Sequence, residues 1–253
     1  DREFMLALRR AAKREKIVLA KVQHQMKSIS PFAGHSFAVG HQKNIRSVNL
    51  YDDEDGIIRR VPLYFNDLSS EHGSSVELSF STEIASRSTG QRLHLDAESK
   101  NTFLGDYKIP GGNQNALTVN FDGGPEIPTY SLADIHACVE RREATFLNDN
   151  FKDKVVLFGV VLDVEDRKLT SKRFITSSDS KNLNKRCILP PPNNLYNKQF
   201  ARDSIAGVYI HAAAINNLIR RDALERIEPY WEGIVTALFS LLIAAFVMRF
   251  SAL

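Results

Sequence analysis

Cysteine is almost missing from this sequence: among 253 residues only Cys138 and Cys187 carry a thiol. Neither has a second cysteine or a histidine at zinc-ligand spacing, so no metal site is expected. Two readings of the pair stay open, a disulfide and two unrelated buried thiols. The cysteines lie 49 positions apart, and in an oxidising compartment closing a loop of that size would stabilise the fold by about 3–4 kcal/mol. The short signatures of enzyme chemistry are missing as well. No Gly-x-Ser-x-Gly elbow, His-Glu-x-x-His helix, Gly-x-x-x-x-Gly-Lys loop or Gly-x-Gly-x-x-Gly fingerprint occurs, which weakens the case for catalysis and leaves no cofactor to expect. An excess of one charge is lacking too: 33 basic against 30 acidic side chains leave +3, too even a balance for a nucleic-acid partner. The chain opens DREFMLALRRAAKR, without an initiator methionine or a secretory leader, and reads as beginning inside a domain.

What is present is a globular composition, 43% apolar and 25% charged. The opening segment has helical period, with Phe4, Leu8 and Ala11 or Ala12 on one side, and Lys16 to Val22 is a short β-prone run. SVNLYDDEDGIIRRVPLYF places two β-prone segments around Asp55-Gly56, the composition of a hairpin. Val76, Phe80 and Ile84 fall at i, i+4 and i+8 and predict a core-facing helix that ends near Gly90. From Gln91 to Gly112 no period stands out. Ala116 to Phe121 predicts a strand closed by Gly123-Gly124-Pro125, and Ser131 can cap a helix, with Asp134 three residues on as a weak capping box. Lys154 to Val161, KVVLFGVV, reads as the central strand of the sheet, covered on both faces. A long polar loop with Pro190, Pro191 and Pro192 then leads to the helix GVYIHAAAINNLIRRDAL. The alternation makes the fold α/β, a single mixed-sheet domain with flanking helices over residues 1–228.

The closing residues differ from everything before them. Gly233 to Met248, 16 residues, carry no charge, and Tyr230 and Trp231 stand at their head as an interfacial pair would. Residues 229–253 therefore predict a transmembrane helix that the chain cuts short, with the lipid bilayer as its partner. Candidate chemistry is confined to two places. Asp163, Glu165, Asp166 and Arg167 follow the expected central strand, where ligands gather in open α/β sheets. His211 heads the last helix of the domain and could help line the same pocket. The competing readings are a solvated loop in which Arg167 pairs an aspartate, and a satisfied structural histidine. Gly34-His35 and Gly40-His41 belong to turn geometry.

Several of these segments together resemble the CHASE2 domains, extracytoplasmic sensors of bacterial membrane receptors. The resemblance lies in Tyr51 to Phe65, Leu117 to Pro125, Ser131 to Val139, Phe151 to Phe174 and Ala206 to Ile219, in that order and followed by an apolar run. It implies a sensor domain outside the bacterial cytoplasmic membrane, spans on either side of it, and a cytoplasmic output such as a cyclase or a kinase that this chain does not include. It also implies that the family's first span and opening strand are absent here, and it favours the disulfide reading of Cys138 and Cys187. Asp166 and His211 match recurrent polar positions, while Asp55, Gly56, Arg60, Pro62 and Gly207 match turn or packing positions. An unidentified extracytoplasmic ligand at Asp163, Asp166, Arg167 and His211 is the first expectation. A membrane-tethered hydrolase using Asp163, Asp166 and His211 is the second, and a scaffold that forms receptor homodimers the third.

Overall fold

A computed structural model describes residues 2–24, 27–67, 75–96, 98–121, 127–161, 167–171, 186–188, 204–225 and 229–250. Helix α1 (Arg2–Lys13) buries Leu8 and Ala12, as its period predicts, but Phe4 stays half exposed with its ring edge on His35. Strand β1 (Leu19–His24) turns back into β2 (Lys27–Ile29), and after α2 (Ala33–Ala38) strand β3 (Ile45–Ser47) pairs with β1 in parallel. Short strands β4 (Ile57–Ile58), β5 (Arg60–Pro62), β6 (Tyr64–Asp67) and β7 (Ser75–Leu78) precede α3 (Phe80–Thr89). Strands β8 (Leu93–Leu95), β9 (Thr102–Leu104) and β10 (Tyr107–Lys108) form an antiparallel sheet of their own, and β11 (Ala116–Thr118) returns to pair with β5. Helices α4 (Leu132–Glu140) and α5 (Ala144–Phe151) follow. Strands β12 (Arg167–Thr170) and β13 (Ser204–Ala206) lead into α6 (Gly207–Arg220), and α7 (Pro229–Phe250) closes the described chain.

The class is α/β, but the single mixed sheet is not what forms. Among the described residues there are five small sheets of two or three strands. Lys154 to Val161 accounts for much of the difference: it joins no ladder among the described residues, and Phe158 is 81% exposed with Val156 and Val160 more than half exposed. Its apolar character states a need for cover without specifying a strand to pair with. The hairpin at Asp55-Gly56 is also replaced. The turn itself closes, with Gly56 N–H donating to the Asp53 carbonyl at 2.8 Å and Gly56 at a φ of +72° that favours glycine. Its two arms form no ladder: Val48 to Tyr51 ahead of the turn belong to no strand, and the segments after it pair elsewhere, β4 with β12 in parallel and β5 with β11. Val76 belongs to β7 rather than to the helix, which starts one turn later on a Ser79 cap, and it does end at Gly90, in the left-handed conformation. Gln91 to Gly112, which shows no period, supplies the whole β8–β10 sheet, whose strands are only two or three residues long.

The principal core joins β4, β5, β9, β11, α3 and α6 through Ile58, Val61, Leu104, Leu117, Ala85, Ile210, Ala214 and Leu218, with Leu63, Ile109 and Val119 filling in from the connections. A second, smaller cluster of Leu8, Ala12, Ala38, Val39 and Ile45 holds α1 and α2 over β3. The residues expected to cross a membrane do form a helix, the 22-residue α7. Yet no helix among the described residues is long and apolar enough to cross a membrane. The uncharged part of α7, Gly233 to Met248, rises about 24 Å against a hydrocarbon core of about 30 Å.

Candidate functional site

Helices α3 and α6 pack against each other along a seam lined by polar side chains. Ser79 caps α3, its hydroxyl accepting from Thr82 N–H, and the next turn buries Ser81, Thr82, Glu83 and Ala85. The small Ser81 and Ala85 let α6 approach, and α6 presents Ile210, His211, Ala214 and Leu218. A core stripe of Val76, Phe80 and Ile84 does not describe this face, since its polar residues carry no apolar signal.

His211 sits in the seam at 7% exposure. Its Nε2 lies 3.2 Å from the Val48 carbonyl, which can only accept, so Nε2 carries the proton. Nδ1 then accepts from the Ser81 hydroxyl at 3.0 Å, and the Phe80 ring meets the imidazole edge-on at 5.7 Å. Burial pushes the pKa of His211 down to about 4, against a smaller upward pull from the Val48 carbonyl. The ring is neutral at physiological pH, with both nitrogens held by the protein's own groups. The serine beside it is 1% exposed, so the Ser81–His211 contact is not a nucleophile and base that a substrate could reach.

Arg167, the other described member of the expected pocket, opens β12 and donates from its guanidinium to the carbonyl of Ser204 on β13. Among the described residues that contact takes the place of the expected aspartate partner. Asp163 and Asp166 lie outside the described residues, and so does the Gly123-Gly124-Pro125 turn. The structure therefore leaves Arg167 and His211 as separate features of β12 and of the α3–α6 seam.

Of two further polar clusters, the first was not expected from the sequence and the second joins the candidate cysteines to Asp134 in a new role. Glu83, 8% exposed, is held from two sides: Arg46 Nε donates to it at 3.0 Å and Arg87 Nε at 2.6 Å. Arg87 also reaches the carbonyls of Glu15 and Ile17 and the side chain of Asn44, tying α3 to the amino-terminal cluster. Ser131 makes no side-chain cap hydrogen bond, and the fully buried Asp134 accepts from the backbone N–H groups of Cys187 and Ile188 at 2.6 and 3.0 Å. One turn on, Cys138 is joined to Cys187 by a disulfide with Cα atoms 5.9 Å apart. The carboxylate and the disulfide together fix residues 187 and 188 against α4.

The far end of α6 is fastened to the β-structure just before α7 begins. Buried Asn217 accepts from Asn120 N–H at 2.8 Å and donates to the Asn120 carbonyl at 3.1 Å, in the manner of a neighbouring strand. Arg221 forms a two-pronged contact with Asp106 in the β9–β10 turn, and Leu224 N–H donates to the Thr118 carbonyl at 3.1 Å. Helix α7 then shows the opposite chemistry. Leu238, Leu241, Leu242, Ile243, Phe246 and Met248 are each more than half exposed, on every side of the helix.

No curated protein and no solved structure matches the sequence. The family model of the CHASE2 domain matches residues 1–247. That span is nearly the whole chain and takes in the α3–α6 seam, the stapled α4 and most of α7, so this chain belongs to the CHASE2 domain family of extracytoplasmic sensor domains.

Proposed function

We propose that the chain is the sensing portion of a bacterial membrane signalling protein, in which a rearrangement of the domain reaches the membrane through α6 and α7. One observation carries this reading: α6, packed in the core along its length and fastened by Asn217, Arg221 and Leu224, is followed within a few residues by a helix that is apolar all round and uncovered. A helix of that kind is stable inside a protein or inside lipid, not in water. Tyr230 and Trp231, in ring contact at 5.4 Å, suit the headgroup level at its start. The sensor then lies outside the cytoplasmic membrane, where a disulfide persists, and it delivers its signal to a cytoplasmic output of cyclase or kinase type. The domain carries no reaction of its own in this reading; its ligand contacts are sought at Arg167 and the acidic residues Asp163 and Asp166 before it.

The test is made in cells expressing the full-length protein with single introduced cysteines. Lys13→Cys, on the exposed side of α1, should react with a membrane-impermeant maleimide added from outside. Leu241→Cys should resist it, and the protein should stay with the membrane through a carbonate wash. Labelling of Lys13→Cys only after lysis, or release by carbonate, would overturn the reading.

A further inference from the structure

Strands β8, β9 and β10 form a sheet whose two faces differ. Leu93, Leu104 and Tyr107 share one row and pack on the principal core. The adjacent row, His94, Phe103 and Lys108, must point the other way because side chains alternate along a strand. His94 and Lys108 are exposed, and the His94 ring lies flat on Phe103 at 5.2 Å with an interplanar angle of 9°. Arg92, two residues before His94, is exposed on the same face. Cationic and aromatic side chains on one outward face are the composition of a lipid-headgroup contact.

Chain length decides where this face lies. Asp106, in the β9–β10 turn, is gripped by Arg221, and Leu224 is hydrogen-bonded to β11. Leu224 and Pro229, at the start of α7, are only five positions apart, a reach of about 18 Å even when fully extended. If α7 enters the membrane, the β8–β10 sheet is held close to its surface. Two of the acidic groups nearby are already engaged, Asp106 by Arg221, and Asp96 by Ser99 and the Glu98 N–H within the β8–β9 turn; Glu98 in that turn is exposed.

We propose that the outward face of the β8–β10 sheet, through Arg92, Phe103 and Lys108, docks on the anionic phospholipid headgroups of the membrane that α7 enters. The contact rests on the membrane reading of α7 given above, and it gives the sensor a resting position from which a stimulus could lift it. Because Cys138 and Cys187 are bonded to each other, a cysteine introduced at His94 or Leu241 is the thiol that labels without reductant.

The test uses the whole protein in vesicles, with a fluorophore on His94→Cys and a nitroxide quencher fixed at headgroup depth. In vesicles containing phosphatidylglycerol, quenching at position 94 should exceed that at Lys13→Cys several-fold, and it should fall in vesicles of phosphatidylcholine alone. Charge reversal of the two exposed cations, Arg92→Glu with Lys108→Glu, should abolish the difference. Quenching at 94 no stronger than at 13, equal in both vesicles, or surviving the charge reversal would overturn the docking. Leu241→Cys with an acyl-chain quencher separates the two claims: if it is quenched while position 94 is not, the docking fails and the membrane reading stands. If Leu241→Cys is not quenched, both fail.

Discussion

The two apolar clusters of the domain are built on different principles. The principal core draws eleven buried apolar residues from strands and helices distant in sequence, so burial of apolar area holds it together. The amino-terminal cluster has five, two of them alanine, and is tied to the rest through the carboxylate of Glu83 between Arg46 and Arg87. A region short of apolar area can thus be fixed by partly buried charges that satisfy one another, at the cost that each becomes a liability when its partner is lost. The first cluster should respond to lost volume, the second to lost charge.

Leu218→Ala is the sharpest way to break that contrast. Leu218 is 2% exposed in the principal core, and truncation should lower unfolding stability by about 4 kcal/mol, the transfer and cavity contributions together. Leu8→Ala, at the rim of the smaller cluster, should cost about half as much by the same reasoning. Denaturant unfolding of the two variants measures both, and equal losses would show the clusters to be alike. Next in size is Glu83→Ala, which leaves two guanidinium groups facing one another without their shared carboxylate. A loss of about 3 kcal/mol is expected. Adding Arg87→Ala should recover part of it, since the second change removes an uncompensated charge. A neutral Glu83→Ala would mean that apolar packing carries both clusters.

The same contrast explains what could be read in the sequence. Helices α1 and α6 were legible because their apolar residues keep helical period, and β11 because ALTV is β-prone between turn residues. The Cys138–Cys187 pair was visible as one of two options. Glu83, Asp134 and Asn217 were not, because a buried polar residue has the same letter as an exposed one, and its burial depends on partners 37 to 97 positions away. The β8–β10 sheet was missed because strands of two or three residues are too short to show a period. Lys154 to Val161 misled for the opposite reason, a strong local preference with no ladder among the described residues. For α7, the sequence marked the apolar run and its aromatic head, and the structure set the length of its uncharged part against what a crossing needs.

The smallest expected effect sharpens the contrast at one residue, since His211 brings a titratable group into the buried α3–α6 seam beside the principal core. Burial lowers its pKa from 6.5 to about 4, so the unfolded chain takes up a proton at a pH where the folded one does not. The neutral ring therefore contributes its full stabilisation above about pH 6.5, and that contribution is lost as the pH falls from 6.5 through 4. At pH 5 the loss should be about 2 kcal/mol relative to neutral pH. The protonated ring must place a hydrogen on Nδ1, which now accepts from Ser81, and the serine hydroxyl would have to turn and find another acceptor. His211→Gln keeps a donor and an acceptor on a side chain that cannot take up this proton, so its stability should fall less between pH 7 and pH 5 than that of the unaltered chain. Denaturant titrations at the two pH values decide it. If the two proteins lose stability in parallel, acid acts elsewhere, and the charge-held amino-terminal cluster is the place to look.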